Sequence, residues 1–173
     1  MYNPLVLLPA FIFLTAVTCH NEINTHQPVH SSSVEPSTNI TEGHLRLYRK
    51  IHSFLIRTKE YKNFTFQDTV WHVRNDDSWI APKELQEEFP YYLSGYDYED
   101  QPVWIMEVGK FNLRKYIERG PEGEKNVTTY LFQAVHRVFK SMLDKDTPER
   151  EIRGAFIIGD CDGLEIIQTM HLP

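Results

Sequence analysis

Residues 102–108 read PVWIMEV, an apolar and partly β-branched run of strand length that Gly109 closes. Because the run is nearly continuous in apolar residues, it predicts a strand that is covered on both faces. Residues 154–160, GAFIIGD, form a second run of the same buried character. These two runs predict a sheet at the centre of the molecule.

The segment between the two strands is predicted to be helical. Apolar residues recur at helical spacing from Val127 to Met142 and predict a long helix over about residues 127–144. A short helix is predicted before it over residues 112–119, and a polar loop at residues 120–125 separates the two helices. A helix that joins two buried strands predicts a parallel pair with a right-handed crossover.

Three further helices are predicted ahead of the first strand. The first covers residues 43–60, and the second begins at a possible capping box in residues 65–68. Pro82 stands at the first turn of a third, short helix over residues 84–88. The order of elements predicts an α/β domain preceded by a helical layer, and we assign residues 44–93 to that helical N-terminal region.

The first 19 residues have the pattern of a secretory signal peptide. Residues 5–17 are uncharged and almost wholly apolar, and small residues follow at Thr18 and Cys19. The apolar run is shorter than the roughly 20 residues that span a bilayer. Residues 20–43 are polar, contain two prolines and lack apolar periodicity, so they are predicted to be a flexible linker.

Three N-glycosylation motifs favour the same secretory route. Asn39, Asn63 and Asn126 each begin an Asn-x-Thr sequence. In a second interpretation, Thr65 and Asn126 instead stand at helix starts, where such residues cap backbone N–H groups. The signal peptide and the three motifs together predict a secreted, extracellular glycoprotein.

The composition and the motifs exclude several classes of function. The net charge of −6 argues against binding to nucleic acid, which rewards Lys and Arg. Two cysteines are too few for a disulfide framework, and Cys161 is predicted to be a small buried hydrophobe. The chain has no Gly-x-Ser-x-Gly, His-Glu-x-x-His or Cys-x-x-Cys motif. We therefore predict a protein that is not an enzyme and has no metal and no cofactor.

The order of these segments is that of a known family. Residues 91–97 (YYLSGYD) lead through a polar turn into residues 101–105 (QPVWI), and the first strand ends in residues 108–110 (VGK). The second strand runs into an Asp-containing turn and residues 162–164 (DGL). Over about residues 44–173 the chain resembles the CRAL-TRIO family, which includes retinaldehyde- and tocopherol-binding proteins and phosphatidylinositol-transfer proteins.

The resemblance implies a mostly parallel sheet with outer helices and an apolar cavity for one lipid-like molecule. The expected fold class is α/β, with the helical N-terminal layer followed by an incomplete CRAL-TRIO-like sheet. Residues 94–173 would form this α/β domain, which is apparently truncated relative to the family. The implied partner is a small hydrophobic ligand (lipid, retinoid or tocopherol-like), and transient contact with a membrane is compatible with this function.

Six apolar side chains of the two strands are the candidates for lining such a pocket. Alternation along a strand places Val103 and Ile105 on one face of the sheet, and Trp104 and Met106 on the other. The sequence leaves open which face looks inward, and ordinary core positions are the alternative for every candidate. The six candidates are Val103, Trp104, Ile105, Met106, Phe156 and Ile158.

Two other functions stay open. A secreted interaction module, or a non-binding fragment, would keep the scaffold without a working pocket. A metal-dependent glycosyltransferase is the less favoured alternative, because Asp160 and Asp162 resemble an Asp-x-Asp motif after a strand. Two acids in such a position are more often turn formers.

Overall fold

A computed structural model describes residues 40–59 and 61–165. The predicted signal peptide, most of the predicted linker and Asn39 lie outside these residues. In chain order the elements are α1 (Glu42–Leu55), α2 (Phe66–Ser78), α3 (Lys83–Glu88), β1 (Tyr91–Tyr96), β2 (Pro102–Met106), a 3-10 turn (Val108–Lys110), α4 (Leu113–Ile117), α5 (Pro121–Leu143) and β3 (Phe156–Gly159).

The helix starts follow local hydrogen-bonding rules. The Thr65 side chain accepts from the Asp68 N–H at 3.2 Å, and the Asp68 carboxylate accepts from the Thr65 N–H at 2.8 Å. This capping box confirms the predicted start of α2. Thr41 caps α1 with its own side chain, so that helix begins inside the stretch that is predicted to be linker.

The long helix α5 begins earlier than the periodicity predicts. Residues 120–125, predicted to be a polar loop, include its N-cap and first turn. Pro121 occupies the first helical position, and Gly120 precedes it with φ +81°. Polar composition therefore does not predict where this helix begins. Asn126 lies inside α5, so its interpretation as a helix cap is wrong.

The three strands form a mixed sheet in the order β1-β2-β3. Strands β2 and β3 are parallel, as predicted, and β1 is antiparallel to β2. The sequence does not predict strand β1, because Ser94 and Gly95 interrupt its apolar pattern. The pairing is irregular there, between Leu93 and Gly95. The strand also crosses the boundary predicted between residues 93 and 94.

All the helical packing of the sheet in the described residues lies on one face. Trp104 and Met106 point to that face and are buried, and the indole Nε1–H of Trp104 donates to Ser141 Oγ of α5 at 3.0 Å. One hydrophobic cluster joins α1, α2, α5 and Trp104, and a second joins α3, α4, α5 and Met106. Helix α5 is therefore shared by both clusters.

A buried ion pair ties the helical layer to the segment that enters β3. The Lys50 ammonium of α1 donates to both carboxylate oxygens of Asp146, at 2.9 and 2.8 Å. Both side chains are almost fully buried. Asp146 also accepts from the Ile152 backbone N–H at 2.7 Å. The Asp146 carboxylate thus pairs with the buried Lys50 ammonium and also accepts a backbone hydrogen bond. Buried charges need such partners, because an unpaired buried charge is costly.

The turn after β3 packs directly on the turn after β2. The Gly109 N–H donates to the Asp160 carbonyl at 2.8 Å. A Cβ on Gly109 would lie 1.7 Å from the Asp162 carbonyl oxygen, so only glycine fits. Cys161 in this turn is exposed, and the prediction that it is a buried hydrophobe is therefore wrong.

We expect Gly109→Ala to lower the free energy of unfolding by about 1–3 kcal/mol or more, because backbone atoms must move to admit the new methyl group. Gly43→Ala is the matched control, since a Cβ on Gly43 of α1 meets no atom within 4 Å. Urea denaturation followed by circular dichroism measures both variants. Equal midpoints for the two variants would contradict the close approach at Gly109.

Candidate functional site

The candidate site is the face of the sheet that the helices leave uncovered. The register pairs Val103 with Phe156 and Ile105 with Ile158 across β2 and β3. Tyr92 of β1 pairs with Ile105. Directly paired residues point to the same side of a sheet, so these five side chains share one surface. We call this surface the open face: Tyr92, Val103, Ile105, Phe156 and Ile158.

The open face is apolar and accessible. Phe156 is 51% exposed, Ile158 is 52% exposed and Tyr92 is 46% exposed. Val103 and Ile105 of the central strand are half-buried between their neighbours. The prediction that both strands are buried on both faces is therefore wrong for the described residues. The apolar side chains of the two strands indicate that both faces of the sheet require an apolar cover. The helices cover only the face of Trp104 and Met106.

The structure divides the six pocket candidates between the two faces. Val103, Ile105, Phe156 and Ile158 come together on the open face. Trp104 and Met106 belong to the helical core on the opposite side. Tyr92 joins the open face although the sequence does not suggest it, because β1 is not predicted.

Polar groups lie at the carboxyl end of β2 and β3. Lys110 forms an ion pair with Glu107, and this hydrogen bond, with smaller effects of Asp160 and Tyr92, raises the pKa of Lys110. Ligands of open α/β sheets bind beyond the carboxyl ends of the strands. The open face therefore has an apolar centre and one polar border. This border lies at the carboxyl ends of the strands, where polar side chains can orient a bound ligand.

The acids of the turn after β3 serve the turn itself. The Asp162 N–H donates to Asp160 Oδ1 at 3.0 Å, and Gly163 follows with φ +78°. This is the geometry of an Asx-type turn. Across residues 40–59 and 61–165, no group of three or more His, Cys, Asp or Glu side chains is placed to hold a metal ion.

Two crevices on the helical side are much smaller than a lipid. An apolar one between α1, α5 and the segment entering β3 has a volume of about 40 Å³. Another, between α1, α2 and α5, has a volume of about 20 Å³. Pockets for drug-sized ligands occupy about 300–1,000 Å³. Neither crevice can hold a long-chain molecule in this conformation.

The lining of the smaller crevice includes two histidines, His72 and His136, and one carboxyl group, that of Asp76. Asp76 Oδ2 is buried and has no hydrogen-bond partner among the described residues. Burial raises the pKa of Asp76 to about 6, and Asp77 adds to this effect while His136 opposes it. Burial lowers the pKa of His72. The carboxyl group of Asp76 is therefore costly to ionise inside the fold.

Comparison with protein families matches the CRAL/TRIO domain to residues 86–172, from α3 to beyond β3. This match covers half of the chain, and the chain belongs to the CRAL-TRIO family. Members of this family mostly bind or transfer small hydrophobic molecules. No curated protein matches the chain. None of the helices in the described part of the chain is long and apolar enough to cross a membrane.

We expect Asp76→Asn to raise the free energy of unfolding at pH 7–8 by about 1–2 kcal/mol, after a discount for partial solvent access. The pKa of Asp76 is higher in the folded chain, about 6, than its ordinary 3.8, so its stabilising contribution is present below pH 3.8 and lost as the pH rises through 6. Chemical denaturation at several pH values measures the difference between the two proteins.

His72 is present in both proteins, so its own loss of stability on acidification cancels in that difference. The difference in the free energy of unfolding between variant and wild type should therefore become smaller as the pH falls from 7 towards 4. A difference in the free energy of unfolding that is absent at pH 8, or that stays constant with pH, would contradict the burial of an ionised Asp76.

Proposed function

We propose that this chain binds one small lipid-like molecule against the open face, as a secreted carrier protein. The observation that carries the proposal is the apolar centre of that face, formed by the exposed Phe156 and Ile158 beside the half-buried Val103 and Ile105. Each CH₂ group of a ligand buried there gains about 0.8 kcal/mol. A fatty chain, a retinoid or a tocopherol-like molecule therefore gains binding energy without any catalytic group.

The polar border supports a defined orientation for the ligand. Lys110, Glu107 and the Tyr92 hydroxyl lie where a head group would reach water. The border mixes one cation with acids, and the turn that follows adds Asp160 and Asp162. This charge balance favours a hydroxyl or other neutral head group over a multiply charged anion, because like charges repel.

We expect Ile158→Gln to weaken binding of a fluorescent polyene fatty acid about tenfold, because the new amide meets the apolar chain without a hydrogen-bond partner. Ile80→Gln is the matched control, since Ile80 is 89% exposed and lies outside the sheet. Fluorescence titration of the full chain gives both dissociation constants. Equal constants for the two variants, or no binding by the wild type, would contradict ligand binding at the open face.

Secretion rests on the residues ahead of α1 and on the glycosylation motifs. Of the three acceptor sites, Asn63 lies in an exposed turn between α1 and α2. Asn126 is half-buried within α5, and Thr128 Oγ1 of its motif is buried. Of the two acceptor sites within the described residues, Asn63 is therefore the one that a glycan occupies with less disturbance of the folded chain.

We expect a eukaryotic secretory cell to release the full-length gene product into the medium, cleaved near residue 19 and glycosylated at Asn63. Asn63→Gln should remove one glycan, seen as a single mobility step that glycosidase treatment of the wild type reproduces. N-terminal sequencing and mass spectrometry of the released protein locate the cleavage. Retention in the cytosol with an intact Met1 would contradict secretion.

A further inference from the structure

The hairpin loop between β1 and β2 presents a tyrosine to solvent. The Asp97 N–H donates to the Gln101 carbonyl at 2.9 Å, and the Asp100 N–H donates to the Asp97 carbonyl at 3.1 Å. The second of these bonds closes a four-residue turn in which Tyr98 and Glu99 are the central residues. Tyr98 is therefore at the tip of the hairpin, and at 108% exposure it is as open to solvent as a tyrosine in an extended peptide.

The carboxylates beside Tyr98 are part of a formed loop. Asp97 Oδ1 accepts from the backbone N–H groups of Glu99 and Gln101, both at 2.8 Å. Glu99 Oε2 accepts from the side-chain amide of Gln101 at 3.1 Å. Because these donors are neutral, they orient the two carboxylates without cancelling their charge. The tip of the hairpin thus holds an exposed phenol between two oriented anionic groups.

The charge of the chain around Tyr98 is negative on both sides. Residues 84–109 contain no Lys or Arg. Asp97 and Glu99 stand directly before and after Tyr98, and Asp100 follows. An ion pair with the loop after α5 engages Asp100. The direct neighbours of Tyr98 therefore supply the negative charge that a visiting protein meets at the tip.

We propose that Tyr98 is a tyrosine O-sulfation site. An enzyme of the secretory route transfers the sulfuryl group of a nucleotide phosphosulfate to Tyr98 Oη. A bond forms between this oxygen and sulfur, the bond between sulfur and the bridging oxygen of the donor breaks, and the nucleotide phosphate leaves with the electron pair. The phenolic proton passes to a base of the transferase, and no atom is oxidised or reduced. This assignment rests on the proposed secretion, which brings the chain to such an enzyme.

The hairpin tip meets two requirements of this reaction. The acceptor oxygen must enter the active site of another protein, and a side chain at a loop tip can do so while the sheet stays folded. An active site that binds an anionic phosphosulfate is basic, so acidic residues on both sides of the acceptor are attracted to it. Asp97 and Glu99 provide these charges at Tyr98.

Tyr96 shows how the hairpin distinguishes between its tyrosines. It also has Asp97 as a direct neighbour, but it lies in strand β1 and is half-buried. The Lys145 ammonium lies 4.5 Å from the centre of the Tyr96 ring. This cation would repel a basic active site. We therefore expect the sulfuryl group on Tyr98 and not on Tyr96.

Incorporation of radioactive inorganic sulfate by eukaryotic secretory cells that express the full-length gene product tests the site. Protein from the medium is treated with a glycosidase before counting, so that sulfate on glycans is removed. Wild type should keep the label and Tyr98→Phe should lose it. Tyr96→Phe is the matched control from the same loop and should keep it. Equal labelling of wild type and Tyr98→Phe overturns the proposal.

Neutral replacement of one flanking acid tests the charge requirement. Glu99→Gln keeps an oxygen acceptor for the Gln101 amide but removes one charge beside Tyr98. We expect it to lower the fraction of sulfated chains about threefold or more. Glu122→Gln, at the exposed start of α5, removes the same charge elsewhere and should leave that fraction unchanged. Equal fractions for the two variants would contradict recognition of Tyr98 through its acidic neighbours.

Accurate mass of the peptide that contains residue 98 identifies the added group. A group that phosphatase removes is a phosphate and overturns the proposal. The location of the protein keeps sulfation and secretion apart. A secreted chain with an unmodified Tyr98 overturns sulfation and leaves secretion intact, whereas retention in the cytosol with an intact Met1 overturns both.

Discussion

The structure depends on the fact that one helix covers only one face of the sheet. Helix α5 packs on the side of Trp104 and Met106, and α1 and α2 pack in turn against α5. The apolar surface of α5 is wide enough to pack against the sheet and the helical layer at the same time. The central strand is nevertheless apolar on both sides, and this leaves a surface of equal character on the side away from α5.

The helical layer and the sheet are held together by a polar contact as well as by the core. The Lys50–Asp146 pair is buried between α1 and the loop after α5, and Asp146 also fixes the Ile152 N–H ahead of β3. Removal of one partner from such a pair leaves an uncompensated charge, which costs more than the pair contributes. The position of β3, and with it the open face, is thus coupled to the packing of α1.

The two faces of the sheet explain why the candidate site could be predicted only in part. Alternation along residues 103–106 separates the candidates into two sets from sequence alone. Which set faces the helices depends on the side on which α5 crosses, and the sequence does not encode that side locally. Phe156 and Ile158 could be assigned to the open face only through their pairing with β2. Tyr92 could be assigned to the open face only once strand β1 was known, and Ser94 and Gly95 interrupt the apolar pattern of that strand.

The sequence by itself determined the family, the parallel pair of strands and the capped start of α2, because these depend on periodicity, local hydrogen bonds and the order of motifs. It did not determine the start of α5, where proline at the first helical position outweighed polar composition. Only the tertiary structure decided that Trp104 is core while Ile158 is exposed, and that Gly109 must lack a side chain. Burial and close approach are properties of what packs against a residue, and those neighbours lie far away in the chain.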